Sequence, residues 1–127
     1  MANNKILVID DERLINKFLA SRLEREAWDV DTAIDGIEAM NKITRNKYDL
    51  ILTDLIMPNV AGLELVIYIK NSKLNADVPI IVISSLTSDN VILDVLSIGV
   101  EEYISKPFSM NVVIAKIKQI LGKKSVA

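Results

Sequence analysis

Near its start the chain reads Ile6-Leu7-Val8-Ile9-Asp10-Asp11, four aliphatic residues followed at once by two carboxylates. An uninterrupted apolar run of this length is typical of a strand that is buried on both faces of a parallel sheet. Beyond the carboxylates, apolar residues recur three to four positions apart, as one face of a helix requires. They are Leu14, Ile15, Phe18, Leu19 and Leu23. The segment therefore predicts a strand that is followed directly by a helix.

The same alternation continues along the chain. Short apolar runs predict further strands at residues 50–54 and 80–83, and two less apolar stretches predict short strands at residues 28–33 and 102–104. A helical period follows each of these strands, and its apolar positions are Ile37, Met40 and Ile43, then Leu63, Val66, Ile67 and Ile69, then residues 91–98, and finally Val113, Ile117 and Ile120. Five such units predict an α/β fold, a doubly wound five-stranded parallel sheet of the flavodoxin-like kind with strand order 2-1-3-4-5.

Turn and cap residues separate these elements. Asp35-Gly36 is typical of a turn before the second helix, and the loop after the third strand contains Met57-Pro58-Asn59. A proline is tolerated at the first position of a strand, serine is favoured at helix starts and glycine at helix ends. Those positions are Pro79 before the fourth strand, Ser88 and Gly99 around the fourth helix, and Ser109 before the fifth.

Composition limits the possible classes of protein. Half of the 127 residues are hydrophobic and a quarter are charged, as in an ordered globular protein. We expect a single domain over residues 1–127, with an ordered core at about 5–121 and a tail at 122–127. The formal net charge of −2 disfavours direct binding of nucleic acid, which takes a basic surface. The first apolar run is too short for a signal sequence or a membrane span, so we expect a cytoplasmic protein without membrane contact.

The chain contains no cysteine and no histidine. Disulfides, the usual zinc sites and catalytic pairs built on histidine or cysteine are therefore excluded. The chemistry of any site must come from carboxylates, lysines and hydroxyls. In a doubly wound sheet, ligands bind at the carboxyl ends of the strands, so these residue types matter most there.

Polar side chains follow four of the five predicted strands. Asp10-Asp11 follow the first strand, Asp54 the third, Ser84 the fourth and Lys106 the fifth. Three carboxylates at one sheet edge would repel one another unless a cation neutralised them. Mg²⁺ prefers such oxygen ligands, while Lys106 offers a positive charge and Ser84 a hydroxyl donor to phosphate oxygens. The set therefore predicts a site for a divalent cation and a phosphoryl group.

Four segments together carry a known pattern. They are Ile6-Leu7-Val8-Ile9-Asp10-Asp11, Asp54-Leu55-Ile56-Met57-Pro58 with Gly62, Ser84-Ser85, and Tyr103-Ile104-Ser105-Lys106-Pro107-Phe108. With these segments, residues 5–121 resemble the receiver domain of bacterial response regulators. The resemblance implies a phosphorylation-activated signalling switch of a two-component system, whose phosphoryl group comes from a histidine kinase or a histidine phosphotransfer protein. It also implies that the protein is not an enzyme on other substrates, since receivers catalyse only their own phosphorylation and dephosphorylation.

The resemblance assigns a role to each polar position. Asp54 is expected to be the phosphoacceptor. The expected Mg²⁺ ligands are Asp10, Asp11, Asp54 and the backbone carbonyl of Ile56, and the expected phosphate-binding and switch residues are Ser84, Ser85, Lys106 and Tyr103. Phosphorylation would draw Ser84 inward, Tyr103 would fill the vacated space, and the surface of the fourth helix, fifth strand and fifth helix would change. A homodimer or an effector is expected to bind that surface.

Each motif also has a simpler explanation on its own. Taken alone, Asp10-Asp11 is typical of a cap of the first helix, Asp54 of a turn residue, Ser84-Ser85 of loop hydroxyls, Tyr103 of a half-buried strand aromatic and Lys106-Pro107 of a surface pair. Their coincidence at four strand ends favours the site over these separate explanations.

Other functions on this fold stay open at the level of sequence. A phosphorylation-independent docking module would keep the fold without the chemistry. A phosphatase of the haloacid-dehalogenase kind needs a second aspartate where Ile56 stands, and a flavin or nucleotide binder needs a Gly-rich or hydroxyl-rich loop where Asp10-Asp11-Glu12 would repel phosphate. The sequence is compatible with a stand-alone receiver and with the front of a longer regulator.

Two departures from the common receiver pattern lie beside the expected phosphoryl group. Ile56 and Leu86 stand where many receivers carry polar or charged residues. Because an attacking water needs polar partners to hold it in line, apolar side chains here predict slow self-dephosphorylation.

The fourth predicted helix has an unusually wide apolar arc. Its apolar positions are Val91, Ile92, Leu93, Val95, Leu96 and Ile98. Such an arc indicates either a deeply packed helix or a surface for a partner or a second copy. In the second case, polar substitution of Val91 and Val95 is expected to weaken phosphorylation-dependent association.

Overall fold

A computed structural model of the chain describes residues 3–56 and 60–125; the predicted loop Met57-Pro58-Asn59 lies outside the described residues. Within the described residues, five strands alternate with five helices: β1 (Lys5–Ile9), α1 (Arg13–Glu24), β2 (Asp29–Ala33), α2 (Gly36–Arg45), β3 (Leu50–Thr53), α3 (Gly62–Lys70), β4 (Ile80–Ser84), α4 (Asp89–Ser97), β5 (Glu102–Ser105) and α5 (Met110–Ser125). Every predicted strand agrees with the observed one to within one residue at each end.

The strands form one parallel sheet in the order β2-β1-β3-β4-β5, which confirms the predicted fold. In the register of the sheet, Ile9 lies opposite both Ala33 and Thr53, the last residues of β2 and β3. Ser84 lies opposite Ser105, the last residue of β5. Thr53 lies opposite Val82, so β4 and β5 extend two residues beyond the ends of β1, β2 and β3. The residues at all of these strand ends meet at one edge of the sheet.

Helices cover both faces of the sheet, so the central strands are buried throughout. All residues of β3 and β4 are buried. Along β1, Leu7 and Ile9 belong to one hydrophobic cluster while Ile6 and Val8 belong to the other, because successive strand residues point to opposite faces. Full burial of an aliphatic side chain of this size contributes roughly 1.5–3 kcal/mol, so these clusters are the main source of stability.

Helix α1 presents a different face to the sheet from the one that the sequence predicts. Leu14 is 84% exposed and Phe18 is 54% exposed, whereas Asn16 is buried beside the predicted core residues Leu19 and Leu23. The prediction was wrong for Leu14 and Phe18 because two overlapping apolar stripes run along this helix, and periodicity alone does not rank them.

The same ambiguity affects the next two helices. Ile37 on α2 is 54% exposed and Ala39 is buried instead. On α3, Ile67 is 48% exposed while Leu65, Val66 and Ile69 form the buried face. Small or neighbouring apolar residues take the core positions because the helix axis is set by contact with the sheet.

Helix ends follow the predicted cap residues closely. The Asp35 carboxylate accepts a hydrogen bond from the backbone N–H three residues on, at 2.8 Å, and the Ser88 and Ser109 hydroxyls do the same at 3.4 Å. Gly99 ends the fourth helical segment with φ +102°, a conformation that glycine adopts without the steric cost of a Cβ atom.

Helix α5 continues to Ser125, past residue 122, where the sequence predicts the start of a tail. A glycine inside a helix costs only about 1 kcal/mol relative to alanine, and the lysines that follow Gly122 are good helix formers, so the helix continues through it. Across residues 3–56 and 60–125, we find no helix with both the length and the apolar character that a membrane span requires.

Candidate functional site

A lysine joins two nearly buried carboxylates at the carboxyl edge of the sheet. Lys106 Nζ lies 2.7 Å from Asp54 Oδ2 and 3.0 Å from Asp10 Oδ2. The side chains of Asp10 and Asp54 are 3% and 5% exposed, and that of Lys106 is 11% exposed. The structure therefore brings together three of the residues that the sequence places at separate strand ends.

Backbone hydrogen bonds extend the strand ladder by one residue and so place these side chains. The Asp10 N–H donates to the Ala33 carbonyl at 3.1 Å, and the Asp54 N–H donates to the Ile9 carbonyl at 3.0 Å. The Lys106 N–H donates to the Ser84 carbonyl at 2.9 Å. Each of these three residues is thus the first one beyond its strand, held in register by the sheet itself.

Three donors fix the Asp54 carboxylate. Oδ1 accepts from the backbone N–H groups of Leu55 and Ile56, at 2.6 and 3.0 Å, and Oδ2 accepts from Lys106. Gly62, the first residue of α3, lies close against Leu55, because a Cβ atom there would be 2.5 Å from the Leu55 carbonyl oxygen. The carboxylate is therefore held rigidly, with both oxygens in hydrogen bonds.

The Asp10 carboxylate joins the turn before α1 to the site. Its Oδ1 accepts from the Glu12 N–H at 2.9 Å, in the turn that leads into α1. The N-cap residue of α1 is Glu12, and no side chain caps that helix, so the helix cap suggested for Asp10-Asp11 is not formed. Burial raises the pKa of Asp10, although the Glu12 N–H and Lys106 partly oppose that effect. Burial alone would lower the pKa of Lys106, but hydrogen bonds to Asp54 and Asp10 outweigh it and raise that pKa above its ordinary value.

Carboxylate oxygens of Asp10, Glu12 and Asp54 all lie within 4.8 Å of one another. This donor set fits a hard divalent cation such as Mg²⁺, which takes carboxylate oxygens. Glu12 was not among the predicted ligands, although it is the next residue in the acidic run, and it also lies 3.5 Å from Lys106 Nζ. Within the described chain, Asp11 is exposed and lies outside this group.

Ile56, whose carbonyl was predicted as a ligand, is 49% exposed at the rim of the site. Its backbone N–H is one of the two donors to Asp54.

The predicted switch residues converge on one backbone segment. Ser84 is fully buried, and its hydroxyl accepts from the Leu86 N–H at 3.2 Å. The Tyr103 hydroxyl donates to the Leu86 carbonyl. Ser84 and Tyr103 therefore hold the two sides of the same residue, whereas Ser85 is exposed and lines an open groove beside Lys106.

The predicted wide apolar arc of α4 is partly exposed. Leu93 is 62% exposed and Leu96 is 42% exposed, while Val95 is fully buried, and Val91 and Ile98 pack against the core partly buried. Polar substitution of Val95 would therefore disturb the fold, so Leu93 and Leu96 replace the pair chosen from the sequence.

Comparison with known proteins agrees with this arrangement. The family model for the response regulator receiver domain matches residues 6–118. The response regulator ArlR of Staphylococcus saprophyticus is 37% identical over 120 residues, covering 94% of this chain and 53% of that protein. The alkaline phosphatase synthesis transcriptional regulatory protein PhoP of Bacillus subtilis is 38% identical over 125 residues, covering 98% of this chain and 51% of that protein. The chain thus spans about half the length of the curated relatives it matches.

A solved structure shows the same fold. The crystal structure of a two-component response regulator from Clostridium difficile superposes with a TM-score of 0.91 at 33% identity, covering 96% of this chain and 98% of that one. The family match extends over most of the chain and includes every strand end described above. The chain therefore belongs to the response regulator receiver domain family.

Proposed function

We propose that the chain is a phosphorylation-activated signalling switch in which Asp54 accepts a phosphoryl group in the presence of Mg²⁺. The observation that carries the proposal is the Asp54 carboxylate, which is nearly buried, fixed by two backbone N–H groups and contacted by Lys106 at 2.7 Å. A carboxylate is a known nucleophile in phosphoryl transfer, and the reaction depends on positioning and charge neutralisation more than on a base.

The ligands for Mg²⁺ in this proposal are Asp10, Asp11, Asp54 and the Ile56 carbonyl, with Glu12 added by the geometry. When bound, the ion neutralises negative charge that the carboxylates and the phosphoryl group bring together. Lys106 then offers its charge to a phosphoryl oxygen.

The phosphoryl group comes from a histidine kinase or a histidine phosphotransfer protein. An oxygen of Asp54 bonds to phosphorus as the bond from phosphorus to the donor's imidazole nitrogen breaks. The open groove beside Lys106 is lined by the apolar side chains of Ile15, Phe18 and Phe108, which suit a protein donor. The chemistry is limited to the chain's own phosphorylation and dephosphorylation.

The output follows from the segment that Ser84 and Tyr103 share. A phosphoryl oxygen that accepts the Ser84 O–H draws the hydroxyl toward Asp54 and away from the Leu86 N–H that donates to it, and the Tyr103 hydroxyl is tied to the same residue, Leu86. Movement of this segment reaches α4, which begins three residues later and exposes Leu93 and Leu96. A second copy or an effector is proposed to bind the surface of α4, β5 and α5.

The test is incorporation of phosphate from an acyl phosphate, measured by intact-protein mass spectrometry with Mg²⁺ and with a chelator. Asp54→Asn is expected to abolish incorporation. Asp77→Asn, an exposed carboxylate just before β4 at the other end of the sheet, is expected to leave it unchanged. Equal incorporation into Asp54→Asn and wild type would contradict the proposal, and a wild type that takes no label with Mg²⁺ would favour a phosphorylation-independent docking module.

A further inference from the structure

Asn16 is a polar residue on the buried face of α1. It is 4% exposed and shares that face with the apolar residues Leu19, Ala20 and Leu23. A buried amide costs free energy unless its hydrogen-bonding groups find partners. The Asn16 Nδ2 group donates to two carbonyl oxygens, that of Asp10 at 3.1 Å and that of Ala33 at 2.9 Å. The amide therefore joins α1 to the ends of two neighbouring strands.

Hydrogen bonds hold the backbone of Asp10 at both its N–H and its carbonyl group. Its N–H donates to the Ala33 carbonyl at 3.1 Å, and its carbonyl accepts from Asn16. The Asp10 carboxylate in turn accepts from the Glu12 N–H and from Lys106. Because the Asp10 backbone is fixed on each side, the starting point of its side chain is fixed too, which helps to orient the carboxylate toward Lys106.

We propose that Asn16 is a positioning residue of the metal site. It ties the Asp10 carbonyl to the end of β2 and thereby holds the Asp10 carboxylate toward Lys106 and the metal. The inference rests on the proposed function, because it takes Asp10 as a Mg²⁺ ligand. Groups that orient a metal ligand without touching the metal typically change metal affinity by about 10- to 100-fold when they are removed.

Asn75 supplies a matched control at the opposite end of the sheet. It is 1% exposed, and its Nδ2 group also donates to two carbonyl oxygens, those of Ile43 and Asn46, both at 2.8 Å. Its Oδ1 accepts from the Tyr48 N–H at 2.8 Å, just before β3. Loss of this amide removes the same kind of interaction without touching the strand ends that carry Asp10.

The experiment compares Asn16→Leu and Asn75→Leu in the full chain. Mg²⁺ dissociation constants are measured by isothermal titration calorimetry, and stability by urea unfolding in a chelator, followed by fluorescence of the single tryptophan, Trp28. Both variants are expected to be less stable than wild type. Only Asn16→Leu is expected to bind Mg²⁺ more weakly, by about tenfold.

Wild-type Mg²⁺ affinity in a folded Asn16→Leu protein would overturn the positioning role while leaving the proposed function intact. A wild type that binds no Mg²⁺ would overturn the metal site itself, and the inference with it. If Asn16→Leu does not fold, Asn16→Gln and Asn75→Gln decide, because each keeps the amide but displaces it by one methylene. Weaker Mg²⁺ binding by Asn16→Gln alone supports the inference, and equal Mg²⁺ binding by Asn16→Gln and Asn75→Gln refutes it.

Discussion

Replacement of Lys106 by methionine tests the electrostatics of the site most directly. Methionine keeps much of the length of the aliphatic stem but removes the ammonium group, which lies 2.7 Å from Asp54 and 3.0 Å from Asp10. The two carboxylates are 5% and 3% exposed, so solvent screens them little. In the metal-free variant, two neighbouring and nearly buried negative charges lose their shared cation.

The expected size of the effect follows from these distances. At about 3 Å and an effective dielectric constant of about 20, each contact with Lys106 is worth roughly 5 kcal/mol of Coulomb attraction, much of which offsets the desolvation of the ions. Removal of one partner from a buried pair typically costs about 3–5 kcal/mol, because the other charge is left uncompensated. Small domains have a free energy of unfolding of about 5–15 kcal/mol, so we expect a destabilised protein that still folds.

The assay is urea unfolding followed by Trp28 fluorescence, in a chelator and then with saturating Mg²⁺. Lys116→Met is the control, because the Lys116–Glu102 pair spans 3.1 Å but is about one third exposed, and such pairs contribute about 1 kcal/mol or less. Mg²⁺ is expected to stabilise Lys106→Met more than wild type, since the ion supplies the missing positive charge and binds more tightly. A metal-free Lys106→Met protein within about 0.5 kcal/mol of wild type, or a smaller gain from Mg²⁺, would refute the reasoning.

Three further outcomes are expected. Polar replacements of Ile56 and Leu86 should speed loss of phosphate from the labelled protein by about tenfold, the effect of one hydrogen bond to a charged group, and an unchanged decay rate would contradict this. Serine at Leu93 and Leu96 should reduce association of the phosphorylated protein in sedimentation velocity without reducing phosphate uptake; unchanged association would exclude this face. Burial and the hydrogen bond to Asp31 raise the pKa of Tyr48 above its ordinary value of 10.0, so its contribution to stability is present below that pH and is lost as pH rises through the folded pKa. Tyr48→Phe should therefore lower the free energy of unfolding by about 1 kcal/mol near neutral pH. In urea unfolding, this difference from wild type should become smaller above pH 10.0.

The central strands could be predicted from the sequence because a short run that is apolar at every position is typical of a strand buried on both faces of a parallel sheet. Leu50-Ile51-Leu52 and Ile80-Ile81-Val82-Ile83 are apolar at every position, and the fold buries every one of them. The polar residue after each strand also marks the edge of the sheet. Parallel topology alone therefore predicts that Asp10, Asp54 and Lys106 lie close together.

The helix faces could not be predicted as well, because partners distant in sequence decide them. Asn16 is buried because the carbonyls of Asp10 and Ala33 receive its amide, and the second of these lies 17 residues along the chain. Without that information, a polar residue between Leu14 and Phe18 indicates a solvent-facing position. Periodicity identified the helix but assigned the wrong stripe to the core.

Residue type alone likewise could not predict which carboxylates face the site. Asp10, Asp11 and Glu12 follow one another, but the chain turns from strand to helix within these residues, so neighbours point in different directions. Asp10 points inward and Asp11 lies exposed, while the longer side chain of Glu12 reaches Lys106 from the N-cap position just before α1. Only the backbone path after β1 distinguishes them.

The resulting charge balance bears on which ligand the site takes. Asp10, Glu12 and Asp54 bring three carboxylates to one lysine, Lys106. When all three are ionised, two negative charges stay uncompensated at a site where Asp10 and Asp54 are nearly buried and Glu12 is exposed. A phosphate or nucleotide alone would add to that excess and be repelled, whereas one divalent cation cancels it. Burial separately raises the pKa of Asp10, because its ionised form is poorly solvated there, and the neighbouring Asp54 charge adds to that rise. The phosphoryl group is therefore expected to enter only together with the cation, which makes Mg²⁺ dependence a property of the folded charge arrangement and not of Asp54 alone.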